Sequence, residues 1–464
     1  MPKRSRRRLL VGVAAALSAS VAGCGDRTVQ EEPDGEYETL TPAEVPREPE
    51  DVFAEIVETS IPTVPAPDPV EEAHVAAATA QLEAIVEEAE AAMETIESVD
   101  VVELARSDAD AEGATGAAIP DDPGGAVADA RDSISALRDR DASHGTLVQC
   151  RRVIERAAGA AGYLGAVAGT LDVAAVFEER REIVDTLETF AAGTEYRLTE
   201  PYGDGLLAVS RAEETLSEAI DFVDEHADLD EEALSADDAS LEGSRRRVQV
   251  AKLRSHLAVL RRLYDDADRL RAVGTSPDAP PREAAIDELL AALLSEAESL
   301  ALDPDETSDG LSELNQSPTD DVRRVRLTTG RRGTSTIERA ERRDAAGEPV
   351  RALLTITEWI VNFDSIDTAA ESVLEGDGDV DPEDLLGAKR EAAEAMEELS
   401  SSGGTSRYFG RIATSAIHSA DEAIEPPGSG RLFAYFAYRA GERIAAESVD
   451  RASEIAASIE AQQS

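Results

Sequence analysis

The feature that most limits the fold is a rhythm. Val250, Leu253, Leu257, Leu260, Tyr264 and Ala267 are separated by alternating steps of three and four. Such steps keep the apolar groups on one face of a 3.6-residue helix, the seam of a packed, coiled-coil-like bundle. The same spacing runs through Leu206, Val209, Leu216, Ile220 and Val223, and it places Val75, Leu82, Ile85, Ala89, Met93 and Ile96 on one stripe. Further amphipathic stretches cover residues 126–140, 146–192, 282–302, 335–346, 350–374, 382–400, 406–425 and 431–460. Breakers punctuate them at residues 120–125, Glu200-Pro201, residues 275–281, Gly347-Glu348-Pro349, Ser402-Gly403-Gly404 and Pro426-Pro427-Gly428. The pattern predicts an all-α chain, an elongated multi-helix bundle of roughly ten amphipathic helices in one or two subdomains. Residues 322–337 carry the one strand signal, around the turn Gly330-Arg331-Arg332-Gly333. Against it, Ser335 and Glu338 read as a capping box that starts a helix. There is no fixed repeat period, so a solenoid is not supported.

Charge narrows the partners. The 464 residues carry 97 Asp+Glu against 45 Lys+Arg, a formal net charge of −52. Residues 1–23 hold five bases and no acid, so the remainder stands at −57. A chain so acidic lacks the basic surface that displaces counterions from phosphate, which excludes a general nucleic-acid binder. Only Lys3, Lys252 and Lys389 are lysines, and the other cations are arginines. This acidic, lysine-poor balance resembles proteins of halophilic archaea. The resemblance implies that the charge is an adaptation to brine, where a Debye length of about 3 Å screens self-repulsion. At 42% apolar residues the chain can still build a core. Cys24 and Cys150 are too few for a disulfide framework or a multi-cysteine zinc cluster.

The N-terminus reads as an address. Ser5-Arg6-Arg7-Arg8-Leu9-Leu10 precedes a small-residue apolar run over residues 11–22, too short to span a bilayer, and the run ends at Val21-Ala22-Gly23-Cys24. This segment resembles a twin-arginine lipoprotein signal. The resemblance implies Arg6 and Arg7 as the export signal, cleavage before Cys24, lipid on its sulfur, and a place on the extracellular face of the cell membrane. Residues 24–69 are acidic and contain eight prolines, which predicts a disordered tether, with room for a helical turn or two around residues 51–58. Its flexible reach would be roughly 35–40 Å. The loop-rich residues 303–321 then divide an N-terminal helical bundle, 70–302, from a C-terminal one, 322–464, unless the two form one continuous domain. Residues 157–177 hold a single charge, Asp172, and are rich in Gly and Ala, which points to a closely packed buried helix or hairpin rather than a second membrane segment.

Candidate chemistry is sparse. Glu71-x-x-His74 has the spacing of a carboxylate-bridged di-iron pair, but no second copy exists. The imelysin-like iron-linked proteins carry His-x-x-Glu; the nearest run, His418-Ser419-Ala420-Asp421, ends in Asp and does not match. The run from Glu375 to Leu385 resembles half of a calcium loop of the dockerin or EF-hand kind, which implies Asp377, Asp381 and Asp384 as ligands. The alternative reading makes Asp381 a helix N-cap with Pro382 at the first helical position. Two basic islands interrupt the acidic background. In residues 244–271, Arg247, Arg254 and Arg261 recur every seven residues beside the seam, where inter-helix ion pairs sit. In residues 322–351, Arg331 and Arg332 form the candidate anion or partner patch. Cys150 reads as a buried small hydrophobe. The aromatic-rich stretch from Trp359 to Tyr438 could line a groove, and Asn315-Gln316-Ser317 fits a glycosylation sequon.

Three functions remain on these residues. The first is a lipid-anchored extracytoplasmic helical scaffold or binding module without catalysis, needing no cofactor, held at the membrane through Cys24 and open to a protein partner. The second is a ligand-capturing or sensory ectodomain that uses the aromatic C-terminal half. The third is a metal-dependent enzyme of imelysin-like or hydrolytic type. The charge reading is testable directly: thermal melts followed by circular dichroism should show a cooperative transition in molar salt that is lost on dilution. A sharp melt retained in dilute buffer would contradict it.

Overall fold

A computed structural model describes residues 49–96, 99–112, 120–192, 195–200, 202–226, 243–376, 379–424 and 430–461. Over these residues the chain is all-α. The helices are α1 (Pro49–Glu58), α2 (Glu72–Thr95), α3 (Val101–Glu112), α4 (Pro123–Arg138), α5 (His144–Ala168), α6 (Val173–Ala192), α7 (Tyr202–Glu225) and α8 (Ser244–Gly274). They continue as α9 (Glu283–Leu300), α10 (Pro304–Glu313), α11 (Pro318–Ala345), α12 (Pro349–Leu374), α13 (Pro382–Ser401), α14 (Gly404–Phe409), α15 (Arg411–Ile424) and α16 (Arg431–Ala461). Sixteen among the described residues exceed the ten or so expected, in part because single glycines divide stretches that periodicity joins and in part because short helices form at Pro49–Glu58, Val101–Glu112 and Pro304–Glu313. Gly169, in the left-handed region at φ 68°, ends α5 and separates it from α6. Gly410 ends α14, and Leu399 fills the space its side chain would need. The signal residues Arg6, Arg7 and Cys24 lie outside the described residues.

The helices group into two compact units that interleave along the sequence, whereas breaker composition alone points to contiguous bundles at 70–302 and 322–464. Of the described residues, one takes those in Pro67–Ala291 and Arg339–Leu354 and those from Ala456 to Ala461; the other takes those from Pro49 to Ala66 and those in Ala292–Glu338 and Thr355–Ile455. In the first, α8 lies against α5, α7, α3 and α6, and α5 also packs on α2 and α4. Val250, Leu253, Leu257 and Leu260 of the α8 seam are all buried. Its main core joins Leu82 and Val86 of α2, Val127 and Ile134 of α4, and Leu147 and Ile154 of α5. Gly162 lets α5 approach α8, since a Cβ there would stand 2.8 Å from the Arg254 Cβ. Gly205 and Gly274 do the same for α7 and α8. An antiparallel bridge, Leu198 with Thr275, fastens the segment before α7 to the end of α8. The nearly uncharged residues 157–177 thus form a buried helix and the start of the next, and no described helix is long and apolar enough to cross a membrane.

Two expectations are corrected in the second unit. The helical turn or two allowed around residues 51–58 is a packed helix rather than part of a free tether: α1 inserts Val52 and Ile56, each 1% exposed, into the core with Leu385 and Leu386 of α13. The one-turn spacing of those two residues outweighs the flanking prolines. The strand signal at 322–337 also fails, because α11 runs unbroken through Gly330 and Gly333, and Ser335 caps nothing. Instead the Ser335 hydroxyl donates to the Arg332 carbonyl. The glycines serve packing. A Cβ on Gly333 would stand 2.5 Å from Trp359 Cζ2, and one on Gly330 would strike Leu302 and Phe363. Trp359 stacks on Phe363 at 5.3 Å and donates its Nε1–H to the Thr329 carbonyl at 3.1 Å.

Two glycine substitutions test this packing in opposite directions. Gly333→Ala should destabilise by about 1–3 kcal/mol, because the methyl must displace Trp359. Gly387→Ala, in α13 with nothing within 4 Å of the added Cβ, should stabilise by roughly 0.5–1 kcal/mol. Paired thermal melts in molar salt read both.

Candidate functional site

In the seam of α7 one position breaks the rhythm. Leu206 and Val209 are followed, at the next step of four, by Glu213 rather than an apolar residue, and Leu216 and Ile220 resume the pattern. The helix therefore turns a carboxyl group inward, where its side chain has three donors. Tyr196 Oη–H donates to Oε1 at 2.8 Å, the Val350 N–H to Oε1 at 3.3 Å, and the Arg351 N–H to Oε2 at 2.6 Å. Glu213 thus caps the first turn of α12 from another helix, satisfying amides that a helix N-terminus leaves without partners. Burial nevertheless dominates and pushes its carboxyl up to about 8. Burial, then the adjacent Glu213, raises Tyr196 in turn. The backbone of Tyr196 is held at both ends: its N–H donates to Glu283 Oε1 at 2.7 Å, and its carbonyl accepts from the Arg282 N–H at 2.9 Å.

Above this pair opens a cleft of about 230 Å³. Phe190, Val209, Leu216 and Ile220 give it an apolar wall, and Ser217, Asp221, Arg271 and Glu348 add polar groups. The Arg271 guanidinium lies over the Phe190 ring at 4.6 Å. One rim is the segment Ala346-Gly347-Glu348, where Gly347 adopts φ 80° between α11 and α12. An apolar recess with a few fixed polar groups and a shifted carboxyl is the form that small-molecule sites take.

Residues singled out by sequence occupy other places. Cys150 is buried and free, and burial raises its thiol, so it is a poor nucleophile. His74 completes a capping box on α2: its Nδ1 accepts from the Glu71 N–H at 3.0 Å, and burial lowers its pKa. His418 is exposed beside Glu422 at 3.3 Å, while Asp421 pairs instead with the buried Lys389 at 2.8 Å and accepts from Tyr438 Oη–H. Asp381 is the N-cap of α13, accepting from the Asp384 N–H at 2.9 Å with Pro382 following, and Asp377 lies outside the described residues. Among the described residues no group of three or more His, Cys, Asp or Glu could hold a metal. Arg331 and Arg332 are both exposed on α11.

In the first basic island the three arginines spaced by seven pair with acids on neighbouring helices. Arg247 makes two bonds to Asp108, at 2.6 and 2.8 Å, and that carboxylate also accepts from Tyr163 Oη–H. Arg254 pairs with Glu88, and Arg261 with Glu179. On the other side of α8, His256 Nε2 and His226 Nδ1 meet the Phe222 carbonyl at 3.3 and 3.0 Å, and Arg180 Nε–H donates to His256 Nδ1. Burial, then the neighbouring His226 and Arg180, brings His256 down to about 3.

The fold and this cleft define a multi-helix all-α protein with one unit built on α8. Residues 73–276, α2 through α8 within that unit, match a family described as a domain of unknown function (DUF8262). Among curated proteins and among solved structures, nothing matches the chain.

The His256 geometry carries a pH prediction. Between about 3 and 6.5 the unfolded chain binds the proton that folded His256 refuses, so His256 contributes stability that grows with pH across that window and is complete above it, while Glu213, raised to about 8, works in the opposite sense. His256→Gln should therefore gain less stability than the wild type between pH 4 and 6.5, with His74 and His144 still acting in the same direction in both proteins. Denaturant midpoints between pH 4 and 8 measure it.

Proposed function

We propose that the chain is a lipid-anchored extracytoplasmic helical binding module, exported through a twin-arginine signal and fastened to the membrane at Cys24. Its ligand is a small amphipathic molecule held in the cleft between Phe190, Leu216 and Ile220. The observation that carries this reading is the cleft itself, with an apolar wall above a carboxyl whose three hydrogen-bond donors fix it in place. Its support is that the candidate reactive groups are committed elsewhere. Cys150 sits in the core, His74 caps α2, His256 secures the end of α7, and Asp381 caps α13. Such a module selects by shape and by a few polar contacts, and its chemistry ends at binding. The acidic, arginine-based surface is that of a protein working in brine.

The test is native mass spectrometry on protein extracted from its own membrane in molar salt. A small molecule should co-purify with the wild type and be absent from Leu216→Trp, whose indole fills the cleft while the melt is retained. The mature chain should begin at Cys24 with added lipid mass, and Cys24→Ala should leave the membrane fraction. A transition metal at unit stoichiometry, or substrate turnover by the purified protein, would contradict the reading.

A further inference from the structure

Beside Glu213, which lines the cleft, lies a hydroxyl with one proton and two acceptors. Tyr196 Oη lies 2.8 Å from Glu213 Oε1 and 3.4 Å from the carbonyl oxygen of Gly347, which is part of the rim segment 346–348. The rest of Tyr196 cannot follow either acceptor, because Glu283 and Arg282 hold its backbone. Gly347, at φ 80°, is a point where the rim can bend. Glu213 also receives the Val350 and Arg351 amides, just beyond the rim, so a single carboxyl governs both ends of the contact.

We propose that Glu213 and Tyr196 form a proton-operated latch on the rim segment 346–348, closing the cleft when Glu213 is protonated and releasing it when Glu213 is ionised. With the acid protonated, its O–H donates to Tyr196 Oη, and the tyrosine proton is directed to the Gly347 carbonyl, tying the rim down. With the acid ionised, the tyrosine proton turns to the carboxylate and Gly347 loses its tie. The buried charge then gains by reaching water through an opened rim. Linkage gives the same sign: the closed carboxyl sits near 8 and a solvated one in the ordinary carboxylate range, so opening releases a proton and grows with pH up to about 8.

The charged groups facing this pair are spoken for. Arg351 bonds Glu348 at 2.8 Å and Glu214 at 3.1 Å, Arg211 pairs with Glu214, Arg271 lies over Phe190, and Glu283 accepts from the Tyr196 amide. Glu348 raises Glu213 further and Arg271 opposes the rise of Tyr196.

The two side chains can be changed separately. In Glu213→Gln the amide N–H replaces the acid O–H toward Tyr196, at the cost of the 3.3 Å bond from the Val350 N–H, so the relay persists at every pH. In Tyr196→Phe it is absent at every pH. Hydrogen exchange by mass spectrometry on the amides of residues 344–348 of the full chain, in molar potassium chloride and corrected for chemical exchange, reads the latch; the Val350 and Arg351 amides, which donate to Glu213 itself, are left out of the reading. Wild-type protection should fall about five- to tenfold between pH 6 and pH 9. E213Q should stay protected at both values and Y196F should be weakly protected at both. Wild-type protection that is flat with pH, a fall that persists in E213Q, or Y196F protected like wild type at pH 6 would each overturn the proposal. If E213Q does not fold, the wild-type profile against Y196F decides. That this latch gates ligand entry rests on the cleft being the binding site; the exchange experiment contains no ligand, so the two fail separately.

Discussion

Everything in the unit built on α8 depends on how that helix reconciles a greasy seam with a surplus of carboxylates. Its seam residues bury themselves, and its arginines reach sideways to acids on three other helices: Asp108 on α3, Glu88 on α2 and Glu179 on α6. Each exposed pair of this kind is worth little. The Arg247–Asp108 pair differs, because Tyr163 completes a hydrogen-bonded set around a carboxylate that is almost fully buried. Around a chain carrying −52, such pairs decide which helices can lie close together and which repel.

The cleft follows from that arrangement. Gly205 and Gly274 bring α7 against the end of α8, and α7 then turns Glu213 toward the start of α12. The carboxyl does for α12 what a local cap does for α13, where Asp381 accepts from its own first turn. A local cap is free to leave with its helix. A cap supplied from another helix couples two segments, and at Glu213 it does so beside a recess that could admit a ligand.

The amphipathic repeats made the helical class readable, because burial of one face is what holds most helices in place. The ion pairs along α8 were legible too: an arginine every seven residues beside a seam has few other uses. Less legible were interruptions within a helical stretch. Gly169 ends a helix, yet Gly330 and Gly333 do not, and the difference lies in Leu302, Phe363 and Trp359, which crowd the second pair. The reach of the Pro-rich segment was overstated because Val52 and Ile56 find a core at α13 that local composition does not advertise. Glu213 was hardest to see among 97 acids. Its one signal was an acid standing where the stripe of α7 called for an apolar residue, and its partners, Tyr196 and residues 350–351, are remote in sequence.

If α8 is the frame to which the other helices of its unit are pinned, its central amides should be the last of that unit to open. Native-state hydrogen exchange in molar salt measures this residue by residue. Amides from 250 to 263 should exchange only through global unfolding, with protection equal to the full unfolding free energy and above that of α6 and α4. Exchange in that stretch as fast as in α6 would contradict the claim, and with it the view that α8 positions the cleft.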